Sequence, residues 1–189
     1  MAPSGRYAFS VVEGLGESSY AVLASVVRRG PCSAYDVKVR LDLVAADFWR
    51  VPHTQAYREC ERLAEAGLLE HDQEDTGRRR RLYRATREGR AAARKWARVP
   101  TEDLMSVRDL GRLKILAAEF STPDDVRALA QQQVLAYQLR IHALAQLLER
   151  SAEEDPQTVL CLQLGRELHE TALAFWTRLE ADPGEMNFA

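Results

Sequence analysis

Arg78, Arg79, Arg80 and Arg81 are the densest run of charge in the chain, and they stand at a turn. Glu74, Asp75, Thr76 and Gly77 ahead of them are turn formers. Leu68 and Leu69 begin a strand before that turn, and Leu82 and Tyr83 begin the return. Guanidinium forks match phosphate geometry, so the chemistry on offer is polyanion binding rather than bond-making. Alternation along the returning strand puts Arg79 and Arg81 on one face and Arg78 and Arg80 on the other. All four cannot meet one phosphate, and at least one pair can brace the domain through Glu70, Asp72 or Glu74. The tip residues Arg78 and Arg79 are the first candidates for the backbone or minor groove of a duplex.

A second set precedes the hairpin. His53, Thr54 and Gln55 open a short helix that Gly67 closes. A helix fits the major groove with its N-terminal residues at the base edges. Gln55 can bond adenine bidentately, and Thr54 can bond a base or touch a thymine methyl. His53 is open to two roles, a helix cap or a phosphate contact. Arg58, one turn on, suits a guanine edge or a phosphate. Tyr57, Cys60, Leu63 and Ala64 fall at helical spacing and predict the buried face. Tyr35 and Lys38, on the preceding helix, are candidates for phosphate, although Tyr35 can equally cover the core. A helix followed by a basic hairpin is the arrangement of a winged helix-turn-helix.

No catalytic set emerges beside this one. His53, His71, His142 and His169 are scattered, and Gly14 to Ser18 lacks the lysine of a phosphate loop. Cys32, Cys60 and Cys161 have neither metal spacing nor a paired framework and read as small core residues. No cofactor and no metal are expected, and the chain does not read as an enzyme. No run of eighteen apolar residues is present, and the segment MAPSGRYAFSVV lacks the apolar core of a signal peptide. A cytoplasmic protein with no membrane partner is expected.

The charge is divided along the 189 residues, whose formal net is -2. Residues 1–99 carry 18 Lys and Arg against 13 Asp and Glu; residues 100–189 carry 8 against 15. Only the first half is suited to a polyanion. The elements that position its candidates are predicted in order. Within residues 1–17, Tyr7, Phe9, Val11 and Val12 suit a short strand or a contact with a partner subunit. A helix capped by Ser18 or Ser19 runs to about Arg29, where Gly30-Pro31 ends it. A second helix runs from Cys32 or Ser33 to about Leu43, with Val37, Leu41 and Val44 inward. Phe48 and Trp49 are predicted to anchor the link to the third helix. Thr86 caps a fourth helix that ends before Pro100, a plausible boundary. Beyond it, helices are predicted over about Glu102 to Phe120, Pro123 to Ser151 and Thr158 to Ala181. Two long, partly apolar helices suit pairing with a symmetric copy, or a self-contained small bundle. The fold class is mainly α with a small β-hairpin: a winged helix-turn-helix domain over 1–99, then a helical dimerisation domain over 100–189.

From Tyr20 to Trp96 the chain resembles the PadR-like family of transcriptional regulators. YAVLASVVRRGPCSAYDV, FWRVPHTQAYRECERLAEAGLLE and GRRRRLYRATREGRAA carry the resemblance together with their spacing. Asp103 to about Glu149, above all VRDLGRLKILAAEF, is similar to the acidic helical extension of the longer, virulence-activator-like branch. The resemblance implies a homodimeric regulator binding double-stranded DNA, often a repressor that a small aromatic compound releases. It implies that the third helix enters the major groove, that the arginine hairpin is the wing, and that the helices after Pro100 dimerise. It also aligns Tyr57 with DNA-facing segments, although spacing places that residue in the core. Ser33-Ala34-Tyr35 stands where the family often has histidine-glycine-tyrosine, and Arg58 where it often has proline. Neither departure threatens the fold, and both leave the operator open.

Some family members hold flat aromatic molecules, which stack on aromatic side chains. Trp96, Phe120, Tyr137 and Trp176, with Trp49, are candidates to line such a cavity; the alternative is that they fill the core between helices. The function expected is a sequence-specific DNA-binding regulator of the repressor type, released by a small aromatic effector. A winged protein–protein interaction module without specific DNA binding is the alternative.

Overall fold

Two helices of the first half start behind a side chain that satisfies amides the helix itself cannot. In a computed structural model describing residues 14–46, 48–73, 80–151 and 155–185, α1 spans Glu17–Arg29. The Ser19 hydroxyl accepts from the Gly16 amide at 3.2 Å. Glu17 in its first turn and Arg28 and Arg29 in its last complement the helix dipole. α2 spans Ala34–Val44 behind a reciprocal box. Ser33 Oγ accepts from the Asp36 amide at 3.2 Å, while the Asp36 carboxylate accepts from the Ser33 amide at 2.9 Å. α3 spans His53–Glu65. It closes with the Leu68 amide on the Leu63 carbonyl at 2.9 Å and Gly67 at φ 69°, a left-handed stop.

The chain then turns into β1, Leu69–Gln73, paired antiparallel with β2, Arg81–Ala85, from Leu69 opposite Ala85 to Gln73 opposite Arg81. Two strands alone are marginal in water. Here Tyr83 also exchanges backbone hydrogen bonds with Cys32, at 2.8 and 3.1 Å, and so ties the hairpin to the segment before α2. α4, Arg87–Ala97, is capped by Thr86, whose hydroxyl accepts from the Gly89 amide at 3.0 Å. Gly89 is required by contact: a β-carbon there would lie 2.0 Å from the Leu68 carbonyl oxygen. Val22, Leu23, Val26, Val37, Val51, Ala56, Cys60 and Leu63 form the centre of the core.

The chain divides into two compact units, Met1–Leu104 and Met105–Ala189. In the second, α5 spans Leu110–Leu116, a 3-10 turn covers Ala118–Phe120, and α6 spans Pro123–Ser151. α7, Pro156–Ala181, packs along α6. At 1.5 Å per residue, α6 is about 43 Å long. Ala118, Val126, Ala130, Trp176 and Leu179 make its small core. A β-carbon on Gly111 would lie 2.9 Å from the Trp176 ring, so glycine there lets α5 close over the indole.

Five expectations are corrected. Cys161, expected as a small core residue, is exposed. Gly16, not Ser18 or Ser19, holds the cap position of α1, and both serines lie within the helix. The helix predicted over Glu102 to Phe120 is confined to α5 and the short turn after it. The Thr101 hydroxyl bonds the Asp103 amide and carboxylate in a local turn, and Asp109 caps α5 through the Arg112 amide at 2.9 Å. Such side chains offer the backbone an alternative to helix. Phe48 and Trp49 do not anchor the link in the core. Their amides close a turn onto the Ala45 carbonyl and both rings are exposed, while Ala45 and Val51 are buried. Tyr57 is 41% exposed, because the buried stripe of α3 runs through Ala56, Cys60 and Leu63. The expectations for Tyr7, Phe9, Val11 and Val12 and for the turn over Glu74 to Gly77 lie outside the described residues.

Candidate nucleic-acid interface

Burying Ala56, Cys60 and Leu63 turns the other side of α3 outward. His53, Thr54, Tyr57 and Arg58 are exposed there and Gln55 is half-buried. His53 is the first helical residue and does not cap: Pro52 holds the cap position, and its carbonyl accepts from the Gln55 amide at 3.0 Å. The His53 ring instead meets Tyr57 edge-on, with centroids 4.7 Å apart. Their contact orders the first turn, where base-reading side chains would be carried.

On α2, Tyr35 is exposed, and Lys38 is half-buried and paired with Asp42 one turn on. Asp36, between them, carries a signal the sequence reading passed over: serine followed three residues later by an acid is a capping box. The Ser33 hydroxyl does most to hold the Asp36 carboxyl below its usual value; burial opposes this, and the Ser33 amide and the charge of Arg80 lower it further.

The arginines of the hairpin differ in what they face. Tyr83 and Ala85 are buried, so Arg81 shares the inward face of β2, and Arg84 the outward one. Arg81 bonds Glu61 of α3 at 3.3 Å. Arg84 lies 3.6 Å from Glu70 and 3.4 Å from Asp72 on β1. Arg78 and Arg79 lie outside the described residues. Between α3 and β1 an open cleft is lined by Glu61, Glu65, Glu70, His71 and Arg81. Sequence reasoning also gives no role to Arg62 of α3. Its guanidinium donates to the Ser19 hydroxyl and the Gly14 carbonyl and pairs with Glu59 at 2.9 Å. This clamp fixes the C-terminal end of α3 to the start of α1.

Burial pushes the Cys60 thiol up to about 12, and Cys32 nearby adds to it. Burial likewise raises Cys32, with the charge of Asp36 adding to it. These are packed thiols, not nucleophiles. Among the described residues no group of His, Cys, Asp or Glu has the arrangement of a metal site, and no helix is long and apolar enough to cross a membrane.

The aromatic candidates are distributed between the units. In the first, Trp96 is 37% exposed and stacks on buried Tyr20, with centroids 5.1 Å apart and planes within 4°. In the second, Trp176 is 2% exposed and fills the core, Tyr137 is half-buried near His169, and Phe120 is exposed. A cleft of about 600 Å³ in this unit is lined by residues of α5 and α6, and none of these three aromatics lines it. Trp49, on the link before α3, is exposed.

Residues 22–95 match the model of the transcriptional regulator PadR-like family. No curated protein sequence matches the chain. Among solved structures, PadR of Bacillus subtilis in complex with operator DNA is similar at TM-score 0.77 and 20% identity, over 87% of this chain and 97% of that one. The same protein in complex with p-coumaric acid gives 0.72 and 20%, over 86% and 93%. The Vibrio cholerae virulence activator AphA gives 0.64 and 20%, over 89% and 99%. At these identities the likeness is one of fold: a small antiparallel hairpin and helices, followed by a helical region.

Proposed function

We propose that the chain, whose residues 22–95 match the model of the transcriptional regulator PadR-like family, is a homodimeric repressor of that family that reads one operator with two copies of α3. The observation that carries the reading is the outward face of α3: His53, Thr54, Tyr57 and Arg58 together, with Gln55 beside them, on a helix held by buried apolar residues behind. Gln55 and Thr54 read base edges, Arg58 takes a guanine or a phosphate, and Tyr35, Lys38 and Arg80 contact the backbone. Arg78 and Arg79 are further candidates for the DNA backbone.

The dimer is built from the second unit. Leu160, Leu164 and Leu168 recur every four residues on α7 and are exposed, as are Leu135 and Leu139 on α6. Contiguous apolar surface of this kind is covered in soluble proteins, and a second copy covers it symmetrically. The effector is a small planar aromatic, the class to which the p-coumaric acid bound by the Bacillus subtilis protein belongs. Trp96, backed by Tyr20, offers a preformed stacking face, and Phe120 and Tyr137 are secondary candidates. Binding shifts the population between operator-competent and incompetent dimers. Trp96→Ala weakens release by an aromatic acid and leaves operator affinity nearly intact; an unchanged response removes this ligand site.

A second reading draws on a specific observation. Arg81 and Arg84 are turned onto acidic neighbours, as a winged protein–protein module would allow. Titration of duplex DNA across a salt series separates the two. The repressor reading requires a slope equal to several released ions, nearly one per phosphate contact. If duplexes from upstream of the protein's own gene bind no better than random DNA at moderate salt, the interaction module is favoured.

A further inference from the structure

We propose that Arg81 and Glu61 form a latch that fixes α3 against the wing, so that Arg81 serves DNA binding as a positioning residue and does not touch phosphate. The inference rests on the DNA-binding reading above and changes the role given to one of its arginines. Arg81 joins two elements twenty residues apart, through its bond to Glu61 at 3.3 Å. Arg81 also bears on the neighbouring Tyr83: burial pushes that phenol up, and Arg81 partly offsets the effect. Tyr83 is 3% exposed and is itself pinned to Cys32 by two backbone hydrogen bonds. The guanidinium therefore connects the exposed side of α3 to β2, the strand that Tyr83 ties to Cys32.

The surroundings point the same way. Arg81 lines the cleft that also holds Glu61, Glu65 and Glu70. Three carboxylates make that cleft a poor place for a phosphate, which would meet repulsion from each. A cation there is best used on the carboxylates themselves. Exposed ion pairs add little to global stability, so the value of this one lies in the angle it sets, since misplacing a recognition helix costs several contacts at once.

The latch predicts a sign opposite to that of simple electrostatics. Glu61 is a negative charge on the outward side of the reading helix, so removing it would ordinarily tighten binding to a polyanion. With the latch, Glu61→Gln weakens operator binding roughly three- to tenfold, the size of a surface charge pair transmitted to affinity. The experiment measures operator affinity of the full chain across a salt series, on DNA recovered by selection from a random pool. Arg81→Gln weakens binding by a similar factor with the salt slope unchanged, and the double variant is no weaker than the worse single one. Arg81→Lys recovers only part of the loss, because an ammonium lacks the planar, directional fork that reaches Glu61 from β2. Thermal unfolding of each variant, expected near that of the parent, shows that the effect is on geometry.

Tighter binding by Glu61→Gln overturns the latch. So does a fall of about 0.9 in the slope for Arg81→Gln, which marks a lost phosphate contact, or full affinity in Arg81→Lys. A parent protein that selects no DNA ends the DNA-binding reading itself, a result distinct from these.

Discussion

In the winged unit, α1, α2 and α3 converge on Val22, Leu23, Val26, Val37, Cys60 and Leu63, all essentially closed to solvent, and the side left outward on α3 is polar. In the second unit, α6 and α7 pack along each other, yet Leu135, Leu139, Leu160 and Leu164 remain more than half exposed. Its compact centre is one indole with a few small or branched neighbours. A largely polar face left outward on a helix whose other side is packed suits a part that meets DNA. Apolar surface left outside suits a part that meets another copy. The two units therefore differ in where their unsatisfied surface lies, and each difference can be tested.

The largest effect is expected at Trp176. Truncating it to alanine removes most of the centre of the second unit and costs about 3–5 kcal/mol there. Thermal unfolding at fixed protein concentration, followed by signals from each unit, checks this; a small loss would mean that the unit's stability lies elsewhere. In the winged unit, Gly89→Ala drives a β-carbon onto the Leu68 carbonyl. A backbone neighbour yields only by moving α4 or β1, at a cost on the order of 2–3 kcal/mol. A melting temperature unchanged by this substitution would contradict the packing of α4 on the start of the hairpin.

Ser33→Ala removes the cap of α2, with an expected loss of about 1 kcal/mol by chemical denaturation. The same box gives a pH dependence. The Asp36 carboxyl is held below its usual value chiefly by the Ser33 hydroxyl, so its stabilisation is present above the ordinary carboxylate range. It is lost as pH falls through the lowered folded value. Asp36→Asn should flatten that part of the acid limb; an unchanged limb would remove the carboxylate from the account. Leu164→Asp should change the stability of the isolated fold least, since the side chain is already exposed, yet shift the assembly toward monomer in sedimentation. A dimer that survives it would move the interface away from this stripe of α7.

Much of this architecture was legible because its signals are local. Gly30, Gly67, Thr86 and Ser121-Thr122-Pro123 mark element ends within a few residues, and the boundaries of α6 follow from them. What was not legible depends on partners far along the chain. Arg62 reads as surface until Ser19 and Gly14, 43 and 48 residues away, are brought to it. Arg81 reads only as a member of one alternating pair with Arg79 until burial of Tyr83 shows which face of β2 it shares. Tyr57 was misplaced for a different reason: two stripes on α3 share Cys60, and helical spacing alone does not choose between Tyr57 and Ala56. Phe48 and Trp49 show that size and apolarity do not guarantee burial when a backbone turn directs the rings outward.

The most direct test of the account is selection of duplexes from a random pool by the intact chain and by its Gln55→Ala variant. The account predicts an inverted repeat for the parent, with preference relaxed at one position of each half-site in the variant and the rest of the motif retained. No enrichment over the starting pool, or a motif indifferent to Gln55, would contradict it.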